Sequence, residues 1–110
     1  MRQNIYDILQ TNWGYSQFRT LQEEIINSVL DGNDTLALLP TGGGKSITFQ
    51  VPALALDGST VVISPLIALM VDQVENLLKR NIPAAAIHSG ITQREIDVIL
   101  HRCIYTDDIK

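Results

Sequence analysis

The segment LPTGGGKS at residues 39–46 constrains this chain more than any other stretch. Gly42, Gly43 and Gly44 stand in a row between an apolar stretch, residues 34–39, and a helix-forming stretch, residues 44–56. Glycines remove the Cβ atoms that would hold backbone amides away from an anion, and a helix N-terminus adds partial positive charge. The junction therefore reads as a phosphate cradle. Gly44, Lys45 and Ser46 fill the last positions of the pattern GxxxxGK[ST], while Leu39 stands where the pattern begins with glycine. In such a loop Lys45 reaches the β and γ phosphates of a nucleoside triphosphate and Ser46 offers its hydroxyl to magnesium. The competing account is a glycine-rich turn with an exposed lysine; the register of strand, loop and helix argues against it.

Around the loop, helical and strand-like periodicities alternate, which predicts helices packed on a parallel sheet. Ile5, Ile8 and Leu9 predict a short first helix. Thr20 and Glu23 have the spacing of a capping box, opening a helix striped by Leu21, Ile25, Ile26, Val29 and Leu30 that stops at Gly32. Residues 34–39, 60–64 and 84–88 read as buried strands, with a helix at 44–56 kinked by Pro52 and a long helix after Pro65. Thr92 and Glu95 form a second capping box, for a helix through about Arg102. A nucleotide-binding sheet of this kind uses about five strands or more, so three predict an incomplete α/β domain. Its expected parts are N-terminal helices at 1–33 and phosphate-loop βαβ units at 34–110.

Length and charge narrow the function. A chain of 110 residues holds one apolar core. Twelve acidic against eight basic residues give a net charge of −4, so any nucleic-acid contact is expected to be local. No apolar run is long enough for a membrane span, and residues 1–9 lack the pattern of a secretory signal, which makes a cytoplasmic home the expectation. Cys103 has no partner for a disulfide or a metal and reads as a buried small apolar residue.

WGYSQFRTLQEEII at 13–26, LPTGGGKS at 39–46 and VVISPLIALMVDQV at 61–74 together resemble the RecQ family of DNA helicases, in helicase superfamily 2. That superfamily accepts a non-glycine residue at the first loop position and favours a threonine before the glycines, as Leu39 and Thr41 provide. The resemblance implies a partial RecA-like P-loop domain, the N-terminal part of the first motor domain, with ATP and Mg2+ as cofactors. It also implies a parent enzyme that unwinds duplex DNA in the 3′ to 5′ direction and contacts single-stranded DNA. The implied nucleotide-binding residues are Tyr15, Arg19 and Gln22 for adenine, then Thr41, Gly42, Gly43, Gly44, Lys45 and Ser46 for phosphate and magnesium, with Lys45 also catalytic. A tyrosine face can stack a purine, and a glutamine amide can donate and accept at its edge. Spacing alone favours a structural account instead, with Tyr15 and Phe18 filling the core and Gln22 on a solvated helix face. Family members commonly carry Pro and Gly where this chain has Thr20 and Leu21.

Ser64, Pro65 and Leu66 match the family segment that touches single-stranded DNA through its backbone; from chemistry alone they read as an ordinary turn into a helix. His88 and Ser89 stand at the corresponding end of the third expected strand. Hydrolysis in such motors needs a carboxylate pair after a later strand. Asp107 and Asp108 follow what reads as a helix tail, so the chain is expected to bind ATP without turning it over. An RNA helicase of the same superfamily and a noncatalytic nucleotide-binding module are the rival readings. Oligomeric state has no signature in the sequence.

Overall fold

Helix α1 (Ile5–Trp13) begins where Asn4 turns its side-chain oxygen onto the Tyr6 amide at 2.8 Å, which satisfies one of the donors left over at a helix start. It ends at Gly14, whose φ of 76° suits a residue without a Cβ. The structure, a computed structural model, describes residues 4–40 and 44–110. Helices α2 (Gln22–Leu30) and α3 (Ile47–Ala55) follow, and α3 packs against both α1 and α2. Ile8, Ile26, Leu30, Val51 and Ala55 form the buried centre of this packing, flanked by Ile5, Trp13, Phe18, Ile47 and Leu54. Ile26 and Val51 are fully enclosed. Burying a side chain of this size contributes about 1.5–3 kcal/mol, so this three-helix contact carries the local stability.

The start of α2 departs from expectation. Thr20 does not cap it; the cap position is Leu21, in the left-handed region at φ 71°, and no side chain supplies the cap bond. A tight turn ahead of the helix takes precedence. The Arg19 amide donates to Gln22 Oε1 at 2.8 Å and the Gln22 amide donates to the Arg19 carbonyl at 3.1 Å, so residues 19–22 close on themselves and the helix begins at Gln22, the last residue of that turn.

The first compact unit reaches Asp57, and a second spans Gly58–Lys110. The second carries α4 (Ile67–Lys79) and α5 (Gln93–Tyr105), neither with a buried residue. Thr92 caps α5 by accepting from the Glu95 amide at 3.2 Å, as its spacing predicts, and its hydroxyl also meets Glu95 Oε1 at 3.2 Å. Ile82 and Ile109 are the buried apolar residues here. The tail is tied in by Thr60 N–H to the Lys110 carbonyl (2.8 Å), Lys110 N–H to the Pro83 carbonyl (2.9 Å) and Ser59 Oγ to the Ile109 carbonyl (2.6 Å).

The expected parallel sheet is not formed: the elements among the described residues are five helices, without a strand. Residues 34–39, 60–64 and 84–88 run between helices without a ladder. Leu36 is 89% exposed, Val61 85% and Ile63 92%, so these apolar side chains of the first two segments face solvent, while Ala84, Ala85 and Ala86 of the third are half-buried. Helices close their hydrogen bonds within a single segment, whereas a parallel strand needs distant partners and cover on both faces. These segments have neither, and β-rich composition alone does not hold a strand.

Candidate nucleotide site

The loop between residue 40 and α3 enters the helix through Lys45 and Ser46. The Lys45 carbonyl accepts from the Thr48 amide at 3.1 Å and from Thr48 Oγ1 at 2.5 Å, and the Ser46 carbonyl accepts from the Gln50 amide at 2.9 Å. These bonds fix the first turn of α3 and leave its N-terminal end facing the loop. Lys45 is exposed and Ser46 half-buried. Thr41, Gly42 and Gly43, expected to cradle phosphate, lie outside the described residues. Gly44 has φ 75°, and a Cβ placed on it would run into the Gln22 amide nitrogen. The positive φ favours glycine here, and a side chain would in addition require the end of Gln22 to move.

Gln22 joins the two halves of the site. It is 2% exposed, its Oε1 accepts from the Arg19 amide, and its Nε2 donates to the Gly44 carbonyl at 3.0 Å. It does not lie on a solvated face. Burial of an amide is tolerable because both ends of it find partners. Arg19 is exposed beside it. Tyr15 is 55% exposed and does not fill the core, whereas Phe18 does pack against it. The structure thus brings Arg19, Gln22 and Gly44 together and leaves the Tyr15 side chain largely in solvent.

A side-chain pair absent from the sequence reading lies next to this turn. Tyr6 Oη donates to Glu23 Oε2 at 2.6 Å, and the Tyr6 ring meets the Phe18 ring edge-on with centroids 5.2 Å apart. The hydrogen bond to Glu23, with lesser contributions from burial and from the Glu23 charge, raises the Tyr6 phenol above its ordinary value. Helical periodicity places Tyr6 on α1, but its pairing with Glu23 spans a loop and has no local signature.

In the second unit Ser64 closes a turn into α4: the Leu66 amide approaches Ser64 Oγ at 3.4 Å. Pro65 and Leu66 are exposed. His88 Nδ1 accepts from the Gly90 amide at 3.0 Å, which accounts for this histidine as a loop-closing residue. Asp108 is drawn into the end of α5. It pairs with Arg102 Nε at 3.2 Å and accepts from Thr106 Oγ1; the Thr106 bond foremost lowers its carboxyl below the ordinary range, opposed by burial and aided by Arg102. Cys103 is half-buried.

No cluster of three or more histidine, cysteine, aspartate or glutamate residues gathers among the described residues. A magnesium ion at this loop would be held in the manner usual for that cation, by one hydroxyl such as Ser46 together with phosphate oxygens and water. No helix among the described residues is long and apolar enough to cross a membrane.

Residues 19–106 match the DEAD/DEAH box helicase family. The chain is 48% identical over 101 residues to the ATP-dependent DNA helicase RecQ of Synechocystis, covering 92% of this chain and 21% of that protein. It is 46% identical to the protein of the same name from Pasteurella multocida, over 86% of this chain and 15% of the relative. With the ATP-dependent DNA helicase Q-like 4B of Arabidopsis thaliana the identity is 51%, over 76% of this chain and 7% of the relative. The chain thus spans about a fifth or less of the length of these relatives. With residues 19–106 matched by its model, the chain belongs to the DEAD/DEAH box helicase family, and along that stretch it is similar to RecQ helicases.

Proposed function

We propose that this chain supplies the ATP-binding part of an ATP-dependent DNA helicase of RecQ type. Lys45 meets the β and γ phosphates, the backbone of residues 42–44 surrounds them, and Ser46 holds magnesium. Thr41, which precedes these glycines in the sequence, belongs to the same proposed set. Gln22 reads the adenine edge, with Arg19 packing on the ring and Tyr15 supplying a stacking face once the base arrives. The observation that carries this reading is the Gln22 side chain, which is nearly fully buried yet spends its amide on the residue preceding Lys45. A polar group so enclosed, tied to Gly44 from 22 positions away, supports a proposed role in sensing the base and the phosphates of one ligand.

Ser64, Pro65 and Leu66 are proposed to meet the backbone of single-stranded DNA with a hydroxyl and the amides at the start of α4. The exposure of Pro65 and Leu66 supports this. Unwinding of duplex DNA in the 3′ to 5′ direction is proposed for the full-length enzyme. Asp108 is engaged by Arg102 and Thr106, so the described residues offer no poised carboxylate pair, and ATP binding without turnover is the expectation for this chain alone.

The test is to titrate ATP and GTP, each with magnesium, into the chain and into Gln22→Ala. ATP is expected to bind more tightly than GTP, because guanine reverses the donor and acceptor pattern that the amide meets, and the substitution is expected to erase the difference. Equal affinities in the unsubstituted chain would remove Gln22 from base recognition.

A further inference from the structure

The turn proposed to read the nucleotide is short, and no strand forms among the described residues to back it. Residues 19–22 are closed by the Arg19 amide on Gln22 Oε1 and the Gln22 amide on the Arg19 carbonyl. Gln22 is further tied to Gly44, and the turn is flanked by Phe18 on one side and Glu23 on the other. A single residue touches both flanks. Tyr6, near the start of α1, sets its ring edge-on against Phe18 at 5.2 Å and donates its hydroxyl to Glu23 Oε2 at 2.6 Å.

We propose that Tyr6 is a positioning residue for nucleotide recognition, clamping Phe18 and Glu23 so that Gln22 is presented to the base while its amide stays on Gly44. The inference rests on the assignment of Gln22 to base recognition above. Its geometry is asymmetric in a useful way. The ring contact is apolar and anchors Phe18 against the core. The hydroxyl contact is charge-assisted and directional, and it fixes the first turn of α2 immediately after Gln22. Leu21, held at positive φ between these anchors, makes the turn unfavourable for an L side chain and so dependent on outside support. The raised Tyr6 phenol is the electrostatic trace of the same bond, since an ionised Tyr6 could not donate to Glu23. Tyr6 itself has no need to touch the nucleotide.

The experiment compares Tyr6→Phe, which keeps the ring and removes the donor, with the unsubstituted chain and with Glu23→Gln, which keeps an acceptor. Two quantities are read: amide exchange at Arg19 and Gln22, and the ratio of ATP to GTP affinity with magnesium present. Tyr6→Phe is expected to speed exchange at both amides and to weaken ATP binding about two- to tenfold with a smaller change for GTP, the range set by one hydrogen bond. Glu23→Gln is expected to retain most of the ATP preference, and Glu23→Ala to repeat the Tyr6→Phe result from the other partner. Unchanged exchange at Arg19 and Gln22 in Tyr6→Phe would overturn the proposal, as would an equal loss for ATP and GTP. An unsubstituted chain without ATP preference would instead overturn the assignment of Gln22, whatever Tyr6→Phe does to the exchange rates.

Discussion

Gln22 Nε2 lies 3.0 Å from the carbonyl of Gly44, and the same nitrogen fills the space where a side chain on Gly44 would begin. The two segments proposed to read the base and hold the phosphates are therefore in physical contact at Gln22 and Gly44. A change at either residue is felt at the other.

Gly44→Ala tests this coupling. The new Cβ would need the Gln22 amide to move and would occupy a left-handed conformation that costs about 1–2 kcal/mol for an L residue. ATP affinity is expected to fall by more than tenfold. In a Gln22→Ala background the steric part of the loss disappears, so the two substitutions should be non-additive. A double-mutant cycle of ATP binding measures it, and strict additivity would show that the contact is not felt in binding.

Leu21 offers the opposite change. Its side chain is 49% exposed and its φ is 71°, so glycine would lose little packing and would relieve the backbone. Leu21→Gly is expected to be neutral to stabilising, by up to about 1 kcal/mol, since the greater freedom of glycine in the unfolded chain offsets part of the gain. Urea denaturation checks it through the midpoint at constant slope. A loss of 1 kcal/mol or more, taken as an order of magnitude of about one hydrogen bond, would mean that Leu21 makes a contact the turn needs.

What the sequence revealed follows the range of the interactions involved. Helices α1, α4 and α5 lie where their periodicity puts them, and Thr92 caps α5, because such bonds close within a few residues. Thr20 misled for a related reason: its spacing to Glu23 is that of a cap, but the competing bond from the Arg19 amide to Gln22 Oε1 sets the helix start instead. The strand-like segments failed because apolar alternation states a preference for burial and not a partner. Leu36 and Ile63 satisfy the pattern and remain in solvent. At the site, the residue types of Gln22, Gly44 and Lys45 were legible as chemistry, while the burial of Gln22 was not. It depends on α3 returning against α2.

Acid should release the end of α5. Asp108 has its carboxyl lowered by Thr106 and Arg102, so the ionised form is favoured in the folded chain. Its contribution is present above the unfolded carboxylate value, about 3.9, and is lost as pH falls through the lower folded value. Backbone exchange at Thr106 and Asp108 is expected to rise over that acidic window, and Asp108→Asn to flatten the profile. A profile that rises well above the unfolded value, or one unaltered by Asp108→Asn, would assign the change to another group.

Lys45 gives the most direct test of the nucleotide site. It is exposed at the start of α3, and its backbone carbonyl is already committed to Thr48, so truncating the side chain leaves the helix start in place. On the proposed assignment Lys45→Ala removes a cation that would face the β and γ phosphates, a charged hydrogen bond of about 1.5–3 kcal/mol. ATP affinity should fall roughly tenfold to hundredfold, with the unfolding midpoint nearly unchanged. ADP distinguishes this from a general loss, because the γ-phosphate part of the contact is absent there and the penalty should be smaller. Phosphate release measured alongside, with single-stranded DNA present, should stay at background in both proteins, since Asp108 is tied to Arg102 and Thr106. Release that is rapid and lost in Lys45→Ala would mean that a carboxylate of this chain activates water after all. Asp107→Asn and Asp108→Asn would then identify which one.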